Sequence, residues 1–313
     1  MKRVALLLML MAPCAFAQVL TSTSHGIVVA HDGRIELAGR WNVPGVEQAT
    51  AIVADGAHVA VLDALNNVAV IVELTSGRVT RRATAETPVD AVFLNGELHV
   101  LARDGGEVRG DFLRASGNEL YAYSRATGAI TEFFGKRRIE AKPYASDFEI
   151  SGATAYLVYP RDARIRTIDL AKRKPSGEVA VGAVPVDLAF AGGGSALTAR
   201  ILAVADPSAK RVWLTEGTQS TTKAIARGFL RGFLGLGLFG NRASQFPTGV
   251  DRVVVRGKTW IAYDSSSRTL YRFTKKKSSV IAKNVGPHAF AITSDGIAYW
   301  QDGGTSVAQR KLP

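Results

Sequence analysis

Four aspartates stand in similar sequence contexts, each at the start of an apolar stretch that alternates as a β-strand does. They are Asp90, Asp147, Asp187 and Asp251. Carboxylates brought together at low dielectric repel one another, so each must bind backbone N–H groups, take up a proton or share a cation. An oxygen-rich ring suits Ca²⁺, which takes about six to eight oxygen ligands. The four aspartates are therefore candidate calcium ligands, and hydrogen bonding to the backbone is the alternative interpretation.

Other catalytic chemistry leaves little trace in the sequence. The chain has no G-x-S-x-G nucleophile elbow, no H-E-x-x-H zinc motif and no C-x-x-C pair. Its five histidines are scattered, without the spacing of metal ligands. Residues 235–240 match the G-x-G-x-x-G dinucleotide pattern in form, but that pattern requires a βαβ context that is missing here. Catalytic residues therefore stay unknown, and Ca²⁺ is the one cofactor that the sequence indicates.

An internal repeat defines the elements that must position these side chains. Six times, a β-rich stretch ends at an aspartate and a short turn leads into a second β-rich stretch; these aspartates are Asp63, Asp104, Asp162, Asp206, Asp264 and Asp302. The shorter intervals match the ~40–45 residues of a propeller blade. The first copy has four strand-like runs at 51–54, 59–62, 68–72 and 78–81, separated by turn residues. Long amphipathic helix patterns are absent, which disfavours a βαβ fold.

The repeat predicts an all-β fold, a β-propeller of six four-stranded blades. Residues 18–313 are expected to form this single domain, with insertions near 105–118 and 227–242. The last copy offers only three strands, so we expect Arg34–Trp41 to pair with the C-terminal strand at Val307–Arg310 and close the ring. The glycine-rich second insertion predicts a loop or short helix outside the blades, packed against a blade or exposed to a membrane or partner.

The repeat units resemble the NHL and YVTN families of propeller repeats, of the six-bladed TolB-like superfamily. The resemblance rests on residues 61–77, 121–128, 158–177 and 203–217, where a strand ends at a polar turn and a glycine turn follows the next strand. It implies a superfamily that contains lactonases, lyases and binding scaffolds, so it does not fix one activity. Related lyases place a basic histidine at the propeller mouth, and His288, just before an innermost strand, is the ligand-binding residue that the resemblance indicates.

The N-terminal residues indicate export. Lys2 and Arg3, the apolar run 4–11 and Ala15-Phe16-Ala17 are the three regions of a signal peptide, residues 1–17. Cleavage removes Cys14, the only cysteine, so the mature chain has no disulfide. The net charge of +12 favours anionic surroundings. We expect a periplasmic or extracellular protein without a transmembrane segment, with no nucleic-acid partner, and with contact to a peripheral membrane surface or an anionic polymer open as alternatives.

Two functions remain open at the level of the sequence. The first is a binding or scaffold module whose propeller face recognises a protein, a glycan or a small ligand. The second is a divalent-metal-dependent hydrolase or lactonase with a cation at the mouth of the central tunnel, although the chain lacks a clear match to the metal-ligand set of such lactonases. A convergence of acidic and amide side chains in the tunnel, with an open coordination site, would distinguish the second from the first.

Overall fold

The computed structural model describes residues 19–312, apart from 24, 32, 38–39, 193–200, 217–241, 257–258, 275–276, 287–289, 294–295 and 302–306. The described chain is almost entirely β-structure, with a single 3-10 turn at Pro160–Asp162. Runs rich in valine, isoleucine and aromatic residues form the strands, because such side chains pack well on a pleated surface. No helix in this part of the chain has the length and apolarity needed to cross a membrane.

The strands form consecutive antiparallel sheets, which we number as blades. Blade 1 has β1 (Val19–Thr23), β2 (Gly26–His31), β3 (Arg34–Leu37) and β4 (Trp41–Pro44). Blade 2 has β5 (Ala49–Ala54), β6 (His58–Asp63), β7 (Val68–Glu73) and β8 (Val79–Ala83). A two-stranded hairpin follows, β9 (Pro88–Leu94) and β10 (Glu97–Ala102). Blade 3 has β11 (Phe112–Ser116), β12 (Glu119–Tyr123), β13 (Ala129–Glu132) and β14 (Arg138–Glu140).

The remaining blades continue in the same order. Blade 4 has β15 (Asp147–Ser151), β16 (Thr154–Tyr159), β17 (Arg164–Asp169) and β18 (Lys174–Ala180). Blade 5 has β19 (Asp187–Gly192), β20 (Ile201–Asp206), β21 (Arg211–Glu216) and β22 (Arg242–Gln245). Blade 6 has β23 (Arg252–Arg256), β24 (Thr259–Asp264), β25 (Thr269–Phe273) and β26 (Ser278–Ala282). Blade 7 has β27 (Phe290–Ile292), β28 (Ile297–Gln301) and β29 (Val307–Lys311).

The first strand of each sheet lies at the centre of a ring. Strand β1 contacts both β5 and β27, so the first and last blades meet, and contacts continue from β5 through β9, β11, β15 and β19 to β23. The β-propeller class expected from the sequence is confirmed. The expected number of six blades is wrong, because the described residues form seven blades plus the hairpin.

The predicted ring closure is also wrong. Strand β3 pairs with β2 and β4 inside blade 1, where Ile35 lies opposite Ala30 and Val43. Strand β29 pairs with β28 alone among the described strands. In the sequence, the segment Arg34–Trp41 resembles a single strand because the hairpins of blade 1 are short. Residues 19–44 instead satisfy their own backbone groups as a complete four-stranded sheet.

The first predicted insertion is only partly a loop. Residues 105–110 lie outside the named strands, whereas Phe112–Ser116 is β11, the innermost strand of blade 3. Its leucine is fully buried, at 0% exposure for Leu113. Residues 105–118 contain arginine, serine and glycine, and this polar composition favours a loop in the sequence. The polar residues belong in part to the side of β11 that faces the ring axis. Of the second insertion, residues 227–241 lie outside the described residues, and Arg242 begins β22.

The core lies between neighbouring sheets, and the repeat aspartates shape its turns. Between blades 1 and 2, Ile35 and Leu37 pack with Val61 and Val70, each such buried side chain contributing about 1.5–3 kcal/mol. At the end of β6, Asp63 is 1% exposed and accepts hydrogen bonds from the backbone N–H groups of residues 47, 48, 65 and 66. Burial raises the pKa of the Asp63 carboxyl, but the hydrogen bonds from the Asn66 side chain and from these backbone groups lower it below the ordinary value. This repeat aspartate is therefore a turn former.

Candidate functional site

An axial cavity of about 680 Å³ is the site that the inner strands build together. Strands β11, β15, β19 and β23 contribute its walls. Its charged lining residues are Arg114, Asp147, Glu149, Asp187 and Arg252, and Phe112 and Phe190 add aromatic surface. Alternate residues of a strand point to the same side, which explains why the pairs 112/114 and 147/149 both face the cavity.

Three of the four predicted calcium ligands occupy one register position at the start of an inner strand. Asp90 lies opposite Leu101, Asp147 opposite Val158 and Asp187 opposite Ala205. Phe112, opposite Tyr123, and Arg252, opposite Tyr263, occupy the same position in their blades. The prediction therefore found a real structural repeat, although the ring position does not carry aspartate in every blade.

Asp251 is displaced by one residue from this position. Its backbone N–H bonds to the carbonyl of Tyr263, and its carboxylate accepts hydrogen bonds from the hydroxyl and backbone N–H of Ser265, in the turn between β24 and β25. A one-residue shift in a strand turns the side chain to the other side. The structure thus separates Asp251 from the cavity and places Arg252 there instead.

Each of the three aligned aspartates binds a backbone N–H of the following inner strand. Asp90 Oδ2 accepts from Leu113 N at 2.9 Å and Asp147 Oδ2 accepts from Leu188 N at 2.9 Å. Asp187 Oδ2 accepts from Val253 N at 2.6 Å. These bonds satisfy donors that pairing within one blade leaves open, and they join consecutive sheets. The contacts support the interpretation in which the aspartates bind the backbone.

Arg114 connects two acidic residues from the strands on either side of it. Its Nη1 lies 2.8 Å from Asp90 Oδ2 and its Nε lies 2.8 Å from Glu149 Oε1. Burial alone would lower the pKa of the Arg114 guanidinium, but the charges of Glu149 and Asp90 raise it. Charge-assisted hydrogen bonds of this length are among the stronger polar contacts in proteins. Arg114 therefore remains charged and holds the hairpin, blade 3 and blade 4 together.

The cavity carboxyls hold protons more tightly than ordinary carboxyls. Burial raises the pKa of Glu149 to about 7, although the Arg114 charge opposes the shift. Burial also raises the pKa of Asp147, against the charge of Arg114 and two backbone hydrogen bonds. For Asp187, burial and then the charge of Asp147 raise the pKa well above the ordinary value. Three acids thus face two arginines in the cavity, and burial raises the pKa of each acid.

Sequence reasoning missed Arg114, Glu149 and Arg252. Glu149 could have been found, because it stands two residues after Asp147 and therefore on the same side of the strand. Arg114 was hidden by the assignment of its strand to a loop. His288, the residue indicated by the family resemblance, lies outside the described residues. Among the residues that the structure describes, no group of three or more His, Cys, Asp and Glu is placed to hold a metal ion.

The calcium site stays a prediction, and a melting experiment tests it. Calcium bound only to the folded protein at a hundredfold excess over Kd would stabilise it by roughly 2.7 kcal/mol. Because three carboxylates already accept backbone hydrogen bonds, we expect the same Tm in EDTA and in millimolar Ca²⁺. A calcium-dependent rise in Tm that Asp187→Asn abolishes and Asp251→Asn preserves would support a calcium site in the cavity.

Comparison with known proteins places the chain by fold. Neither a protein-family model nor a curated protein matches the sequence. The computationally designed Ika8 protein is similar with a TM-score of 0.62 and 11% identity, over 95% of this chain and 97% of that one. Streptogramin B lyase is similar with a TM-score of 0.55 and 11% identity, over 93% of this chain and 92% of that one. Dihydro-heme d1 dehydrogenase NirN, in complex with DHE, is similar with a TM-score of 0.60 and 10% identity, over 91% of this chain and 68% of that one. At such identities the likeness is one of fold alone, and with the sheet arrangement it identifies the chain as a β-propeller.

Proposed function

We propose that the protein is an exported binding propeller whose axial cavity holds a small polar ligand. The observation that carries this proposal is the convergence of Arg114, Glu149, Asp147, Asp187 and Arg252 on one cavity of about 680 Å³. Ligand pockets of soluble proteins have about this size and combine apolar walls with a few fixed polar groups. Here the polar groups come from four separate strands, so blades 3 to 6 must pack side by side for the site to exist. The sequence units that resemble NHL and YVTN repeats agree with a recognition role.

Native mass spectrometry of the mature protein purified from its own host tests this function. We expect a retained small molecule in the wild type and in Asp251→Asn, whose side chain faces the Ser265 turn. Glu149→Gln should lose the molecule, because it replaces the carboxyl in the cavity wall with an amide while keeping the size of the side chain. A mature protein that carries nothing, or a molecule that Glu149→Gln retains equally, would contradict a ligand site in the cavity.

Export is the second part of the proposal, and it rests on the signal-like N-terminus. We expect cleavage between Ala17 and Gln18, because Ala15-Phe16-Ala17 is a small-residue cleavage sequence behind an apolar run. N-terminal sequencing of the protein from its host checks this directly. A mature chain that begins at Met1, or one with a diacylated Cys14, would refute the cleavage site.

A hydrolase or lactonase is the alternative function. It is favoured by Glu149, whose pKa of about 7 is the range in which a carboxyl can act as general acid or base near neutral pH. Hydrolysis of simple lactones, assayed with and without added divalent cations, tests the alternative. Activity that disappears in Glu149→Gln and persists in Asp251→Asn would favour an enzyme, and no activity in the wild type would favour the binding role.

A further inference from the structure

Tyr144 is an exposed aromatic residue held in an unfavourable backbone conformation. It lies in the loop between β14 and β15, its exposed fraction is 62%, and its φ is +67°. Ten non-glycine residues in the described chain have positive φ, and Tyr144 is the only aromatic one. A bulky side chain there is strained, whereas asparagine or glycine fits readily. Strain retained at an exposed position points to a function outside the fold.

The loop is fixed, and its surroundings are basic. Tyr144 N donates to Arg125 O at 2.8 Å, and the Arg161 guanidinium lies 5.8 Å from the centre of the Tyr144 ring. Arg125, Lys142 and Arg161 are all exposed. Lys142 forms an ion pair with Asp162 at 2.5 Å, and Arg166 approaches the same carboxylate at 3.4 Å. Asp111 is the second acid here, since its carboxylate accepts a hydrogen bond from Arg125 N. Four cations thus face two acids, which leaves the neighbourhood of Tyr144 net positive.

A second exposed apolar residue stands at the matching place in the next blade. Val184 precedes Asp187 by three residues, as Tyr144 precedes Asp147, and its exposed fraction is 37%. Because blades repeat around the ring, both loops lie on the same face of the propeller. We call Arg125, Lys142, Tyr144, Arg161 and Val184 the Tyr144 face. This face combines an aromatic anchor, apolar area and positive charge at the outer surface.

We propose that the Tyr144 face docks an acidic segment of a partner protein, with Tyr144 as the anchoring side chain. Tyrosine and arginine are enriched at protein interfaces and among the residues that dominate binding energy. Positive charge around the anchor attracts an acidic partner and orients it. The net charge of +12 over the full sequence, which includes Lys2 and Arg3 of the predicted signal peptide, acts in the same direction. This docking surface is separate from the axial cavity, so it does not depend on the ligand proposed there.

A peptide of Glu-Glu-Leu repeats, labelled with fluorescein, is the probe for this surface. Fluorescence anisotropy should show binding that weakens with salt, and no binding of a Lys-Lys-Leu counterpart. Tyr144→Asn should weaken binding at least about tenfold, as loss of an anchoring residue does. Its Tm should equal or exceed that of the wild type, because asparagine relieves the backbone strain. If Tyr144 had only a structural role, Tyr144→Asn would bind the peptide as the wild type does and would have a lower Tm than the wild type.

Phe134→Asn is the matched control. Phe134 is also an exposed aromatic residue of blade 3, with an exposed fraction of 48%, but it lies in the turn between β13 and β14 at the opposite end of the sheet. This variant should bind the acidic peptide as the wild type does, and Arg161→Ala should bind it more weakly. Equal binding by wild type and Tyr144→Asn would overturn the proposal. So would binding of polygalacturonate together with failure to bind the acidic peptide, because the partner would then be a polysaccharide.

Discussion

Replacing Arg114 with methionine should lower the free energy of unfolding by about 3 kcal/mol near neutral pH. Methionine keeps much of the volume of the side chain but removes the charge that contacts Asp90 and Glu149, each at 2.8 Å. The loss is large because both carboxylates stay in the ring without their partner. Urea unfolding, followed by circular dichroism, measures the change as a shift of the midpoint at constant slope.

Arg138→Met is the control for this substitution. Arg138 also makes an ion pair at 2.8 Å, to Glu140, but both side chains are more than half exposed, at 54% and 71%. An exposed pair contributes about 0–1 kcal/mol, so this variant should unfold close to the wild type. If both substitutions had the same small effect, Arg114 would not be the residue that joins the hairpin to blades 3 and 4.

The stability of the wild type should contain a component that falls as pH rises from about 4.5 to about 7. The pKa of Glu149 is about 7 in the folded protein against 4.5 ordinarily, so the folded state binds more protons than the unfolded state within this interval. One pKa unit corresponds to about 1.4 kcal/mol, which gives about 3 kcal/mol for the complete shift. The raised pKa values of Asp147 and Asp187 add to this component with the same sign.

Glu149→Gln isolates the contribution of this one carboxyl. The variant should be more stable than the wild type at about pH 8 and equally stable at about pH 4, where Glu149 is protonated in both states. Turn aspartates such as Asp63, with lowered pKa, act oppositely and lose their contribution as the medium becomes acidic. These aspartates are unchanged in the variant, so their contribution cancels when the stability of the variant is subtracted from that of the wild type at each pH. A difference that did not vary with pH would show that the pKa of Glu149 is the same in the folded and unfolded states.

The sequence predicted the strands and turns of blade 2 well. Its four strand-like runs correspond to β5 to β8, because local alternation, β-branched residues and turn chemistry all favour the same structure there. The number of blades was wrong for a physical reason. Blade 1 has short hairpins that resemble a single strand, and the hairpin β9–β10 interrupts the period between blades 2 and 3. The repeat was counted by the aspartate that ends a strand in each unit, so a sheet without that aspartate, such as blade 1, was not counted.

The candidate site was predicted only in part. Asp90, Asp147 and Asp187 were placed at the correct ends of inner strands, since each begins an apolar alternating run. Asp251 lies one residue before this register position. The run Val250-Asp-Arg-Val-Val-Val has valines at odd and even positions, so the sequence alone does not say which side of the strand faces the axis. The partner of each carboxylate depends on the neighbouring blade, so local pattern cannot reveal it.

A series of polar contacts joins consecutive inner strands around part of the ring. It begins where Thr50 Oγ1 donates to Pro88 O at 2.9 Å. It continues through Asp90, Arg114 and Glu149 to β15, and from β15 through Asp147 and Asp187 to β23. Blades 7 and 1 meet through apolar packing, in which Leu20, Ile27 and Val29 lie against Ala291, Tyr299 and Val307.

Apolar contacts tolerate sliding, whereas a hydrogen bond is lost when its atoms move apart. Among the described residues these polar contacts run only from β5 to β23, so we expect breathing of the ring to concentrate in the remaining arc, which contains the apolar seam between blades 7 and 1. Amide protons of blades 7 and 1 should exchange with solvent sooner than those of blades 3 to 5. Widening at this seam would admit a molecule to the axis while the joined arc around Arg114 keeps its shape.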